Sequence, residues 1–295
     1  MGNFNGVHFM MPTPFDQNGS VDESSIETLV KLAIEAKCHG IVCLGVTGEA
    51  NRLTDSERYQ VSRRVIKEVN GLLPVTIGTS ASGNNVSIQR CVEAESIGAS
   101  AVMVAPIPLT KPNPDSILSH YEQISVAIKL PIIVQDSPEQ TNIFIDPPLI
   151  KTLNKQVERI NALKLEDPPT PPKITAVRKV VPEEFQIFGG LGGIFLYEEL
   201  MRGACGTMTG FSYPEVLVSI YNNVLSGASE KARGIFYHYL PIIRYEQQQG
   251  IGIAIRKAIL KKRGALASAT PRLPQLEIDE TTQKELYNLL DSLDL

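Results

Sequence analysis

Two apolar periods alternate along the chain. Short runs such as Val7-His8-Phe9-Met10-Met11 and Ile41-Val42-Cys43-Leu44 are nearly continuous in apolar residues, as in strands buried on both faces. Between them lie longer stretches with apolar residues three and four apart. In 24–37, for example, Ile26, Leu29, Val30, Ala33 and Ile34 share one helical face. The same alternation predicts strands at 75–78, 101–104, 131–135 and 185–188, a sixth carrying Lys164 within 160–167, and an eighth at 206–210. Helices are predicted at 55–69, 86–97, 115–128 and 194–201, with a further start marked by Pro147.

Eight strand-helix units with apolar strands argue for a parallel sheet closed into a TIM (β/α)8 barrel. A doubly wound open sheet shares this periodicity, and the count of eight favours the barrel. After the eighth unit strand signals stop, and helices are predicted at 231–248, 251–262 and 281–293. The stretch Thr270-Pro271-Arg272-Leu273-Pro274 reads as a stiff connector. The expected organisation is a barrel over 1–225 and a C-terminal helical extension over 226–295.

Composition narrows the function classes. The chain has 295 residues, 43% hydrophobic and 20% charged, with a formal net charge of -4, so it can bury a large core. Its Lys and Arg residues are scattered, unlike a nucleic-acid footprint. No apolar run approaches the ~20 residues of a membrane span. The start Met1-Gly2-Asn3-Phe4-Asn5-Gly6 lacks the basic and apolar pattern of a secretory leader, and the residues after Gly2 do not fit an N-acylation motif. Cys38, Cys43, Cys91 and Cys205 are dispersed, with neither paired spacing nor nearby histidines. The expectation is a cytoplasmic protein with reduced, mostly buried thiols and no metal site. His8, His39, His120 and His238 fall on different elements and read as core or surface histidines, with His8 inside the first strand.

In a parallel barrel, chemistry sits at the C-terminal strand ends. Lys164, flanked by Leu163 and Leu165, faces away from both. If it faces the barrel interior, desolvation favours a nucleophilic amine. The competing reading pairs it with Glu166 or Asp167 at the barrel rim. Gly45-Val46-Thr47-Gly48-Glu49 after the second strand has small residues whose N–H groups can hold a carboxylate, aided by Thr47. The alternative is a tight turn with Glu49 at its surface. The run Gly189-Gly190-Leu191-Gly192-Gly193 matches neither phosphate-loop nor dinucleotide patterns, and Gly190 is expected to leave space for the far end of a small substrate.

Taken in order, these pieces resemble the dihydrodipicolinate synthase and N-acetylneuraminate lyase superfamily over essentially the whole chain. The resemblance rests on Pro12-Thr13-Pro14-Phe15, the Gly45–Glu49 motif, Pro131-Ile132-Ile133-Val134, the lysine strand and Cys205-Gly206-Thr207-Met208-Thr209. It implies a TIM barrel, commonly a homotetramer built as a dimer of dimers, needing no cofactor beyond a covalent Schiff base. It also implies that Lys164 forms that Schiff base with a 2-oxo acid. By the same resemblance Val46, Thr47 and Gly48 bind the substrate carboxylate, and Met208 lines the site through its carbonyl.

Several positions depart from the family pattern. Where the family has a relay tyrosine, this chain has Gln135, within Gln135-Asp136-Ser137-Pro138; an amide exchanges no protons. The synthases' arginine after that proline is Gln140, the first threonine of their pair is Val46, and Ala105-Pro106-Ile107-Pro108 replaces the segment carrying the interface tyrosine. The strand-five pattern is instead similar to L-2-keto-3-deoxyarabonate dehydratases, while Thr47-Gly48-Glu49 keeps the general family motif. The implied activity is a class I lyase, with dehydration of a 2-keto-3-deoxy sugar acid first. Aldol cleavage, a synthase-type condensation of pyruvate and a non-catalytic 2-oxo-acid-binding barrel are the alternatives. In this reading Gln135 hydrogen-bonds the substrate and Glu49 or a bound water carries the proton.

Overall fold

The computed structural model describes residues 4–295; Met1, Gly2 and Asn3, on which part of the N-terminal reading falls, lie outside the described residues. Strand β1 (Gly6–Met10) is followed by α1 (Glu23–Glu35), β2 (Gly40–Cys43), α2 (Asp55–Val69), β3 (Val75–Gly78), α3 (Asn84–Ser96), β4 (Ala101–Val104) and α4 (Pro114–Ala127). Next come β5 (Ile132–Asp136), the short α5 (Pro138–Thr141), α6 (Pro147–Gln156), β6 (Ile160–Leu165), α7 (Thr170–Arg178), β7 (Gln186–Gly189), α8 (Leu196–Met201), β8 (Gly206–Thr209) and α9 (Pro214–Leu225). The tail holds α10 (Ser229–Glu246), α11 (Gly252–Lys262) and α12 (Glu280–Asp291).

All eight strands pair in parallel in sequence order, and β8 returns to β1 to close the barrel. The closure excludes the open sheet. Alternate strand residues serve two separate cores, because successive side chains point to opposite faces. Val7, Phe9, Ile41, Val102, Val134, Leu163 and Leu165 face the helices. Met10, Val42, Ala101, Met103, Ile133, Ala162, Phe188 and Met208 fill the interior.

Helix starts are locally specified. Asp22 caps α1, Thr54 and Glu57 form a reciprocal capping box on α2, and Asp146 caps α6 through the Leu149 N–H. Two further helices lie outside the predicted set. In α7 only Thr170, Ile174 and Val177 are buried, and Pro171 and Pro172 occupy its first turn, where no N–H is required. In α9 Val216, Leu217, Val218, Ile220 and Tyr221 are buried, and the polar residues Glu215, Ser219, Asn222 and Asn223 recur at helical spacing on the outer face.

The three cysteines Cys38, Cys43 and Cys91 are buried and Cys205 is partly so, all as free thiols. Among the described residues no helix is long and apolar enough to cross a membrane.

Candidate active site

The C-terminal strand ends gather the candidate residues at one mouth of the barrel. Lys164 faces the interior, 1% exposed, with Nζ 3.8 Å from the Met10 sulfur. It stands in register with Gln135 on β5 and Phe188 on β7. Its nearest charge is Glu166, whose Oε1 lies 2.9 Å from Nζ. The pairing offered as a rim interaction therefore exists, but around a buried amine. The other Glu166 oxygen accepts a 2.8 Å hydrogen bond from the Gln135 amide. One carboxylate thus joins the lysine to the glutamine.

Two backbone features hold Glu166 there. Its N–H donates to the Asp136 carbonyl (2.8 Å) just past the end of β6. A Cβ on Gly190 would sit 2.5 Å from Glu166 Cγ and 2.7 Å from Oε1. Gly190, expected to leave space for substrate, lies against the Glu166 side chain.

The loop after β2 forms the facing wall. Its turn places Glu49 in the left-handed region (φ 54°), and the Glu49 N–H donates to the Val46 carbonyl at 2.9 Å. Thr13 braces it, its hydroxyl donating to the Gly48 carbonyl at 2.6 Å. Thr47 is buried against Gly210, where a Cβ would come within 2.7 Å of the Thr47 methyl. Val46 is exposed. A cavity of about 410 Å3 opens beside the loop, lined among others by Val46, Ser80, Ala105, Gln135 and Gln140. Met208 belongs to the packed interior below.

Glu49 is placed differently from expectation. Its Oε1 pairs with Lys257 Nζ at 2.6 Å, and its Oε2 accepts from Arg52 (3.0 Å) and the Arg272 N–H (2.8 Å). With both oxygens buried and committed to the C-terminal extension, Glu49 anchors the loop and has no contact with Lys164. The sequence reading missed Glu166 as a member of the site. Its i+2 spacing from Lys164, the same side of a strand, was the available signal.

His8 is a core residue. Its Nε2 lies 2.5 Å from the Phe4 carbonyl and its ring meets Phe188 edge-on; burial pushes its pKa down to about 4.

The description "Dihydrodipicolinate synthetase family" belongs to the family model that matches residues 3–293. An L-2-keto-3-deoxyarabonate dehydratase of Azospirillum brasilense is 29% identical over 98% of this chain and 94% of its own. A 4-hydroxy-tetrahydrodipicolinate synthase of Methanocaldococcus jannaschii is also 29% identical, over 99% of each chain. The crystal structure of a dihydrodipicolinate synthase from Rhodopseudomonas palustris superposes with a TM-score of 0.92 at 34% identity, covering 97% of both chains. Fold, motif order and whole-length similarity agree, and the chain belongs to the dihydrodipicolinate synthetase family of lyases.

Proposed function

We propose that this lyase forms an imine between Lys164 and a 2-oxo acid and then dehydrates a 2-keto-3-deoxy sugar acid. The observation that carries the reading is the Glu166 carboxylate shared between Lys164 Nζ (2.9 Å) and the Gln135 amide (2.8 Å). A buried amine next to one carboxylate can attack a carbonyl and pass on the released proton.

The Lys164 amine adds to C2 of the substrate, and the carbonyl oxygen leaves as water to give the iminium. Glu166 removes a C3 proton, and the electron pair moves into an enamine. The enamine expels the C4 hydroxyl, which takes the proton from Glu166 and departs as water. Hydrolysis of the imine frees Lys164. The iminium is the electron sink, so the scheme draws on no metal or organic cofactor. Thr47 and the Val46–Gly48 backbone hold the C1 carboxylate in this scheme. Gln135 orients Glu166 and donates to the substrate without exchanging protons. The amide at Gln135, in place of a proton-exchanging tyrosine, supports dehydration over condensation. A cytoplasmic homotetramer is part of the same proposal, and sedimentation velocity checks the assembly.

The test is borohydride reduction in the presence of pyruvate, followed by peptide mapping, with 2-keto-3-deoxy sugar acids then offered as substrates. The expected result is an adduct on Lys164 and loss of water from the sugar acid. Pyruvate plus an aldehyde would replace dehydration with aldol cleavage. No adduct, with ligand affinity preserved in Lys164→Ala, would leave only a binding barrel.

A further inference from the structure

We propose that Lys173 is a positioning residue for the Gln135–Glu166 pair, an ammonium clamp on α7 that holds the ends of β5 and β6 together. The inference rests on the Schiff-base reading above. Lys173 Nζ lies 2.6 Å from Asp136 Oδ2 and 2.7 Å from Asp167 Oδ2. Asp136 directly follows Gln135, and Asp167 directly follows Glu166. Side chains alternate across a strand, so Gln135 points into the barrel while Asp136 points out, where Lys173 meets it. The Asp136 carbonyl also accepts the Glu166 N–H at 2.8 Å. One cation thus fixes the residues after both members of the pair.

The clamp is buried, the Asp136 side chain being 0% and that of Lys173 12% exposed. A third partner cannot easily replace the ammonium there. The titratable groups facing Asp136 are Lys173 on α7, Asp167 on the loop after β6, and Tyr121 on α4. The Tyr121 hydroxyl donates to the Val104 carbonyl. Burial pushes the Asp136 pKa up to about 6, and Lys173 opposes that rise. Protonating Asp136 therefore slackens the clamp on the acid side of neutrality, and removing Lys173 lets Asp136 keep its proton to higher pH.

The geometry to be maintained is tight. Glu166 must stay within hydrogen-bond reach of Lys164 and Gln135 at once, and displacement of a proton carrier by ~1 Å costs on the order of 100-fold in rate. Imine formation needs only the amine and a carbonyl, and is less demanding of Glu166.

Exchange of the pyruvate methyl protons in D2O, followed by NMR, tests this without knowledge of the natural substrate. Borohydride trapping is run in parallel. Lys173→Met is expected to keep trapping on Lys164 while its exchange rate falls by about 10- to 100-fold and the acid limb of exchange moves to higher pH. Lys173→Arg retains a cation and is expected to hold the limb near that of the wild type. If Lys173→Met fails to fold, Asp167→Asn removes the less buried half of the clamp and is expected to slow exchange by a smaller factor, while the acid limb moves to lower pH because the Asp167 charge raises the Asp136 pKa. Wild-type rate and an unshifted acid limb in Lys173→Met, or in Asp167→Asn when that variant stands in, overturn the clamp. Wild-type protein that neither traps nor exchanges sinks the Schiff-base reading itself, and the clamp with it.

Discussion

Glu49 and Lys257 form an ion pair 2.6 Å apart, and neither side chain has any solvent exposure. It joins the β2 loop to α11, so the helical extension holds the wall on which Thr47 sits. Lys257 and Arg272 both lie over the Phe15 ring, each 4.3 Å from its centroid. Breaking a buried pair by removing one partner leaves an uncompensated charge, which costs about 3–5 kcal/mol. Lys257→Met is therefore expected to lose stability by that amount in denaturant unfolding, and Glu49→Gln with Lys257→Met to regain part of it. A loss in Lys257→Met near that of a surface substitution would show that this ion pair does not hold the loop.

Glu166→Gln separates imine formation from proton transfer. The amide keeps hydrogen-bonding capacity at the site but accepts no proton. Borohydride trapping on Lys164 is expected to survive, while pyruvate proton exchange falls by roughly 100-fold or more, the scale of a lost general base. Exchange at the wild-type rate would move the base elsewhere.

Gly190→Ala tests the space behind that carboxylate. An added methyl would stand 2.5 Å from Glu166 Cγ, so Glu166 must shift. The expected outcome is a drop of about tenfold or more in exchange. An unchanged rate would show that the carboxylate position is not critical.

His8 contributes a pH dependence of known sign. Its folded pKa is lowered to about 4 from 6.5 by burial, so between those values the unfolded chain binds the proton and the native chain does not. Its contribution to stability is fully present above about pH 6.5 and is lost as pH falls through 4. The difference amounts to roughly 3 kcal/mol at full effect. His8→Gln, whose amide can still donate to the Phe4 carbonyl, is expected to unfold with less pH dependence between pH 4 and 6.5. Parallel stability curves for the two proteins would contradict this.

Legibility in the sequence followed the signal available to each element. The expected ranges 55–69, 75–78 and 101–104 coincide with α2, β3 and β4, where amphipathic period or continuous apolar runs are strong. The α7 helix lies outside the expected set because prolines fill its first turn; α9 does too, although Glu215, Ser219, Asn222 and Asn223 mark its polar face. At the site, alternation with Leu163 and Leu165 already set the parity of Lys164. Glu166 shares that parity, yet a solvated rim and a buried interior look alike in sequence. Glu49, expected to carry a proton, has both carboxylate oxygens engaged by Arg52, Lys257 and Arg272, and Gly190 backs onto the Glu166 side chain.

Local periodicity records which face of each strand is apolar, and so the sequence by itself determined the repeating units, their order and the side on which Lys164 lies. It could not determine what meets at the barrel mouth. Closure of β8 on β1 sets the strand register, and register alone brings Gln135 opposite Lys164. The partner of Glu49 lies on α11, after the whole barrel. Such contacts depend on the path of the folded backbone, and the tertiary structure decided that Glu166 meets the lysine while Glu49 anchors the loop.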